Sequence, residues 1–285
     1  MLSKLLPGFF KRAIKTHIRT IAANSGLYLR SFPIENAYCL KPGNSTANPL
    51  EGGKLPIPPK ELWLGYAPDA QTYISFGERH VTDMIRALEK NGFSIGGAKR
   101  ILEFGCAAGR MIRHLPEIAP NAELWGVDIK AQHIRWCIEN LTPAIHFATT
   151  TTVPHLPFED RYFDLIFCGS VFTHMEDIQE SWLLELGRIL RPAGKLYITI
   201  QDEHTVRILE TQGRNIWLAK FMQEQRIYRS NKNNFNMIVI GRGDSSQVFY
   251  NSRYFQFIIP PIFRWISLTP EAYGYQSAVI LEKLT

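Results

Sequence analysis

An α/β fold, with an open and mostly parallel sheet between layers of helices, is what this 285-residue chain predicts. Three observations predict it. Residues 100–110 read Arg-Ile-Leu-Glu-Phe-Gly-Cys-Ala-Ala-Gly-Arg, a short apolar strand that Gly105 breaks before a helical pattern from Met111 to Leu115. A second strand over 123–128 is followed by a helix over 131–140, so the alternation repeats. A helix from Trp182 to Leu190 then leads into the apolar run Leu196-Tyr197-Ile198. The first run, Ile101, Leu102 and Phe104, is continuous rather than alternating, as strands buried on both faces require.

The chain is long for one domain, yet one α/β core plus an insertion or arm accounts for it. Hydrophobic residues make up 45% and charged residues 20%, ordinary for a globular protein. No apolar run approaches the roughly 18 residues of a membrane span. Cys39, Cys106, Cys137 and Cys168 show no C-x-x-C pairing, so no metal site is expected. Buried thiols in a reducing compartment are the simplest reading, which places the protein in the cytoplasm. The net charge of +6 sits in the arm: Lys4, Lys11, Arg12, Lys15, Arg19 and Arg30 all precede the first acidic residue, Glu35. The body is neutral, so a nucleic-acid partner is not expected.

In the arm, residues 1–30, Phe10, Ile14, Ile18 and Ile21 recur at helical spacing beside Lys11, Lys15 and Arg19. A basic amphipathic helix of this kind lies on an anionic membrane surface through residues 1–23, packs on the body, or serves as a transit peptide; the sequence leaves these readings open. Residues 31–62 are rich in Pro and Gly and read as a linker or an extended wrap. The domain proper then spans 63–285. It opens with Trp63, Tyr66 and Tyr73 and a helix over 78–90 that Asn91-Gly92 closes. A third strand is expected over 144–148, and another at Phe163-Asp164-Leu165-Ile166. Residues 204–258 form an insertion, polar and partly helical to about 236, then a hairpin of 237–240 with 247–250 and a short helix over 254–259. The Arg-Gly-Asp at 242–244 is turn chemistry. Strands at 263–268 and 276–281 end the chain, with residues 269–275 as a loop between them.

The turn at 105–110 separates two ligand classes. A dinucleotide needs G-x-G-x-x-G, but Ala107 and Arg110 occupy the second and third glycine positions. The pattern Glu103-x-Gly105-x-Ala107-x-Gly109 resembles motif I of the class I S-adenosylmethionine-dependent methyltransferases. Leu156-Pro157-Phe158 with Phe163-Asp164, the run Ser170-Val171-Phe172-Thr173-His174, and Leu190-Arg191-Pro192-Ala193-Gly194 resemble further motifs of that family, in its order, so that residues 100–200 carry the likeness. The resemblance implies a Rossmann-like sheet of seven strands, mostly parallel, with an antiparallel last strand and helices on both faces; the arm and the hairpin inserted after strand five are additions to it.

It also implies a methyltransferase using S-adenosyl-L-methionine. Glu103 would stand near the cofactor's ammonium, with Gly105, Cys106, Ala107 and Gly109 around its amino-acid moiety. Asp128 would accept from both ribose hydroxyls, Ile129 would pack on adenine, Thr150 would contact it, and Ser170 would border the cofactor. His174 and His204 are the candidate bases, because imidazole titrates in the useful range. Asp202, Glu203, Tyr254 and Tyr273 are candidates for holding the acceptor, which would be a small molecule, a sugar or glycan, or a lipid-linked group methylated at oxygen. The alternative is a methyltransferase-like binding protein without turnover, anchored to a membrane or partner by its arm.

Overall fold

The computed structural model describes residues 55–212, 216–241 and 246–285, with nothing described for the side chain of Ile216. The arm, its membrane reading, Cys39, most of the linker and the Arg-Gly-Asp turn lie outside the described residues.

Seven strands form one sheet in the order β3-β2-β1-β4-β5-β9-β8, and β6-β7 make a separate ribbon. In chain order these are β1 Arg100–Phe104, β2 Glu123–Asp128, β3 His146–Thr149, β4 Phe163–Cys168, β5 Leu190–Ile200, β6 Met237–Ile240, β7 Gln247–Tyr250, β8 Phe263–Tyr273 and β9 Gln276–Lys283. The first five pair in parallel. β9 runs antiparallel to both β5 and β8, so the last strand of the chain is wedged inside the sheet. β8 continues through the residues expected to form a loop at 269–273, and its register shifts between Thr269 and Tyr273. Only Gly274 and Tyr275 turn the corner.

The helices are α1 Ala70–Lys90, α2 Leu115–Ile118, α3 Ala131–Leu141, α4 Gln179–Ile189, α5 Glu203–Thr211, α6 Ile216–Glu224, α7 Arg226–Asn231 and α8 Ser252–Phe257. Period-two alternation sends successive side chains of each strand to opposite faces. Leu102, Ile166 and Ile198 meet Trp182, Leu183 and Leu186 of α4 on one face. Ile101, Leu165 and Tyr197 meet Met84 and Leu88 of α1 and Cys137 and Leu141 of α3 on the other. A smaller core under α5, α6 and α7 gathers Leu209, Leu218, Met222 and Tyr228 against Phe249.

Two boundaries differ from the sequence reading for physical reasons. α1 starts at Ala70, not at 78, because Asp69 caps it by accepting from the Thr72 N–H at 2.8 Å. Gly77 lies inside that helix: a Cβ there would stand 2.2 Å from the Arg110 carbonyl oxygen, so glycine lets α1 press on the turn after β1. The helical pattern after Met111 is a 3-10 turn, Ile112–His114, followed by the single-turn α2. The end of the expected linker is packed as well: Leu62 is buried. Arg113 Nη2 donates to the Leu55 carbonyl at 2.7 Å, and to that of Pro56.

Several motif residues turn out to brace the edge of the sheet opposite the glycine turn. Asp164 Oδ2 accepts from the Lys99 and Arg100 N–H groups, each at 2.7 Å, and its Oδ1 meets Arg191 Nη1 at 2.5 Å. One carboxylate thus ties β4 to the start of β1 and to the turn that opens β5. Glu185 of α4 accepts from the Leu156 N–H at 2.6 Å and pairs with Arg188, which donates to the Phe158 carbonyl.

Candidate cofactor and acceptor site

The glycine turn sits at the carboxyl end of β1, where open α/β sheets bind ligands. Gly105, Ala107 and Gly109 have φ of 82°, 46° and 73°. All three are left-handed, so the alanine occupies a conformation that suits glycine. At Gly105 a Cβ would fall 2.3 Å from Val171 Cγ2, and this brings the turn against the loop after β4. Cys106 is buried, its sulfur close to Gly126, so the backbone rather than the thiol is what the turn presents.

Asp128 ends β2 with its side chain buried. Its Oδ2 accepts from the Ala107 N–H and its Oδ1 from the Lys130 N–H, both at 2.8 Å. It is not the cap of α3, whose first turn has no side-chain cap. Each oxygen keeps a second lone pair for a hydroxyl. Ile129 beside it is 40% exposed, an apolar surface suited to a flat ring. Thr150, buried, donates its N–H to the Asp128 carbonyl at 2.9 Å and so holds β3 to this corner.

Glu103 is buried, and its Oε2 accepts from the Ile112 N–H at 2.9 Å. Burial pushes its carboxyl up to about 8, against the pull of Arg110 and that hydrogen bond. Arg110, passed over in the sequence except as a missing glycine, is also buried. Its Nη1 lies 3.0 Å from His80 Nδ1, its Nη2 donates to the Tyr273 hydroxyl, and its guanidinium stands 4.3 Å over the Tyr66 ring. His80 and Tyr273 stack with centroids 4.0 Å apart. Burial and the neighbouring arginine hold the His80 pKa down to about 3, so a neutral ring receives the guanidinium at Nδ1. The Tyr273 hydroxyl would be 2.9 Å from a Cβ on Gly169, which places the cluster between the turns after β1 and β4. The signal available in the sequence was a lone arginine opening an apolar stretch.

Beyond β4 and β5 the site is lined by neutral polar groups. Ser170, at φ 63°, donates its N–H to Thr199 Oγ1 at 2.6 Å, and Thr199 donates to Gln276 Oε1 at 2.7 Å. Gln276 Nε2 returns to Ser170 Oγ at 2.9 Å. The ring locks the ends of β4, β5 and β9 together.

The two candidate bases part company. His174 follows β4 in a 3-10 turn, and its Nδ1 lies 2.7 Å from the Ser246 carbonyl oxygen at the start of β7. A carbonyl only accepts, so Nδ1 carries the proton and Nε2 the lone pair. Protein enclosing the inner edge of this otherwise exposed ring lowers its pKa. His204 in α5 instead pairs its Nε2 with Glu271 Oε1 at 3.1 Å.

The acceptor candidates are engaged in the fold. Asp202 is buried and caps α5 by accepting from the Thr205 N–H at 2.9 Å. Glu203 accepts from the N–H and hydroxyl of Ser252, at 2.9 and 2.5 Å, clipping α5 to α8. Tyr254 packs on the core beside α4. A cavity of about 310 Å³ lined by Glu176, Asp177, Val239 and Gly241 opens between the His174 loop and β6. Among the described residues no three His, Cys, Asp or Glu gather as metal ligands, and no helix is long and apolar enough to cross a membrane.

The sheet order with its inserted antiparallel strand, and a glycine turn facing a carboxylate at the end of β2, define a class I methyltransferase architecture. Residues 102–198 match the family model described as a methyltransferase domain. The malonyl-[acyl-carrier protein] O-methyltransferase of Hahella chejuensis is 24% identical over 161 residues, 54% of this chain and 57% of that one. The methyltransferase GfsG of Streptomyces halstedii is 26% identical over 141 residues, 47% of this chain and 48% of that one. The chain thus spans about half the length of the curated relatives it matches. Among solved structures, the PH0226 protein from Pyrococcus horikoshii shares the fold with a TM-score of 0.55 at 17% identity, covering 76% of this chain and 94% of that one. An S-adenosylmethionine-dependent methyltransferase from Clostridium acetobutylicum does so at 0.52 and 10%, covering 73% and 92%. Residues 102–198 are thus similar to a methyltransferase domain, and the sheet has the fold of these solved structures.

Proposed function

We propose that the protein transfers a methyl group from S-adenosyl-L-methionine to an oxygen of a small-molecule acceptor. The observation that carries this reading is the Asp128 carboxylate, held by the Ala107 and Lys130 N–H groups at the end of β2 with acceptor capacity to spare. The cofactor, when bound, supplies an electrophilic methyl carbon on a sulfonium. Asp128 holds the ribose hydroxyls, Ile129 and Thr150 border the adenine, and Gly105 to Gly109 let the backbone approach the amino-acid end. His174 takes the acceptor's proton at Nε2 while Ser246 holds the opposite nitrogen. Catalysis is otherwise orientation of the nucleophile and exclusion of water. The relative from Hahella, an O-methyltransferase by name, supports oxygen as the target.

Calorimetric titration with S-adenosylmethionine tests the reading. Wild type should bind, and Asp128→Ala should weaken binding by about 100-fold or more, the worth of two hydrogen bonds to a charged acceptor. No binding, or binding indifferent to Asp128→Ala, would overturn it. Release of S-adenosylhomocysteine across a panel of hydroxyl acceptors, with a loss of turnover in His174→Ala, addresses the acceptor and the base.

A further inference from the structure

We propose that Arg110, steadied by His80 and Tyr273, is the carboxylate receptor of this site and reads the amino-acid end of the cofactor. The inference rests on the reading above and deepens it. A buried guanidinium is ordinarily paired with an acid, because an uncompensated charge in the interior is costly. Arg110 is 5% exposed, yet among the described residues no carboxylate lies within ion-pair distance of it. Its partners are neutral: the Nδ1 of His80, the hydroxyl of Tyr273 and the face of Tyr66. Glu103, the acid whose field it feels, accepts from the Ile112 N–H rather than from the guanidinium, and burial holds it largely protonated at neutral pH.

The surroundings orient the guanidinium rather than neutralise it. His80 comes from α1, Tyr273 from the end of β8, and Arg110 from the turn itself, so three distant parts of the chain fix one planar fork. A planar fork of N–H donors matches a carboxylate, in two parallel hydrogen bonds, better than a lysine does. Its place between the turn after β1 and Gly169 after β4 is the carboxyl edge of the two central strands, where a ligand lying along Gly105 to Gly109 would end. A ligand carboxylate there supplies the missing countercharge. Adenosine alone does not, so the cluster sets a preference for ligands that keep the amino-acid tail.

The test compares two ligands with the same nucleoside: S-adenosylhomocysteine, and 5′-methylthioadenosine, which lacks the amino and carboxyl groups. Wild type should prefer S-adenosylhomocysteine. Arg110→Met should lose about tenfold to 100-fold of that affinity, the range of a charge-assisted pair, and leave methylthioadenosine binding unchanged. Tyr273→Phe, which keeps the ring and removes the hydroxyl that holds Nη2, should narrow the preference by less and serves if the first variant does not fold. An equal fall for both ligands, or an undiminished preference in both variants, would overturn the assignment. Failure of wild type to bind either ligand would instead refute the cofactor reading beneath it.

Discussion

Replacing Ala107 by glycine should make this protein more stable, although it deletes a half-buried methyl group from the turn after β1. Ala107 sits at φ 46°. A Cβ in the left-handed region costs roughly 1–2 kcal/mol, whereas glycine gives the unfolded chain extra freedom worth roughly 0.5–1 kcal/mol. The difference is a net gain of about 0.5–1 kcal/mol, or about 1–4 °C in melting temperature for a chain of this size. The hydrogen bond from the Ala107 N–H to Asp128 is a backbone contact and survives the change. Ala193, at φ 61° in the turn that opens β5, is the control. That turn lies at the amino edge of the sheet, while Ala107 follows the carboxyl end of β1, so the two gains should add. Thermal melts followed by circular dichroism, with urea titrations where unfolding is reversible, measure both singles and the double. A loss of stability in Ala107→Gly, or a double variant no better than the better single, would refute the strain argument.

Two further outcomes follow from the buried carboxyls. Asp164→Ala removes the acceptor of two backbone N–H groups and the partner of Arg191, and should cost about 2–4 kcal/mol in urea unfolding. Because Asp164 stands at the edge away from the glycine turn, affinity for S-adenosylhomocysteine should stay unchanged; a large loss of affinity in a folded variant would contradict its structural role. Glu103 gives a pH dependence. Its carboxyl titrates near 4.5 when unfolded and about 8 when folded, so between those values the native state holds a proton that the unfolded state has lost. The resulting cost is absent below the lower value, grows as pH rises and is complete above the upper one. Glu103→Gln should therefore gain stability over wild type on going from pH about 5 to about 8; parallel slopes would show that the carboxyl is not held protonated.

Local periodicity made most of the sheet legible. Residues 123–128 form a strand with the expected ends, and the hairpin of 237–240 with 247–250 pairs as read, because alternation and turn chemistry are properties of neighbouring residues. Ala107 and Ala193, each in a turn beside a glycine, both adopt the left-handed φ that glycine favours. The start of α1 lies earlier than the expected 78 for a reason in another segment, since Gly77 lets the helix lie against the Arg110 carbonyl. The loop expected at 269–275 failed similarly: polar and turn-forming residues there are carried in β8 by pairing with β9, up to Tyr273 against Gln276.

What the sequence determined by itself is the glycine-turn end of the sheet. The Glu103 to Gly109 turn and Asp128 lie within about one strand-helix-strand unit, so their spacing already implied a carboxylate facing a glycine turn. Only the tertiary structure decided what surrounds them. Tyr273 reaches Arg110 across 163 positions of sequence, and the Ser246 carbonyl reaches His174 across 72. Such contacts arise from how β9 enters the sheet and where the inserted ribbon closes. Neither leaves a periodic trace in the chain, because a single buried arginine or a backbone carbonyl acquires its role from the partners that folding brings to it.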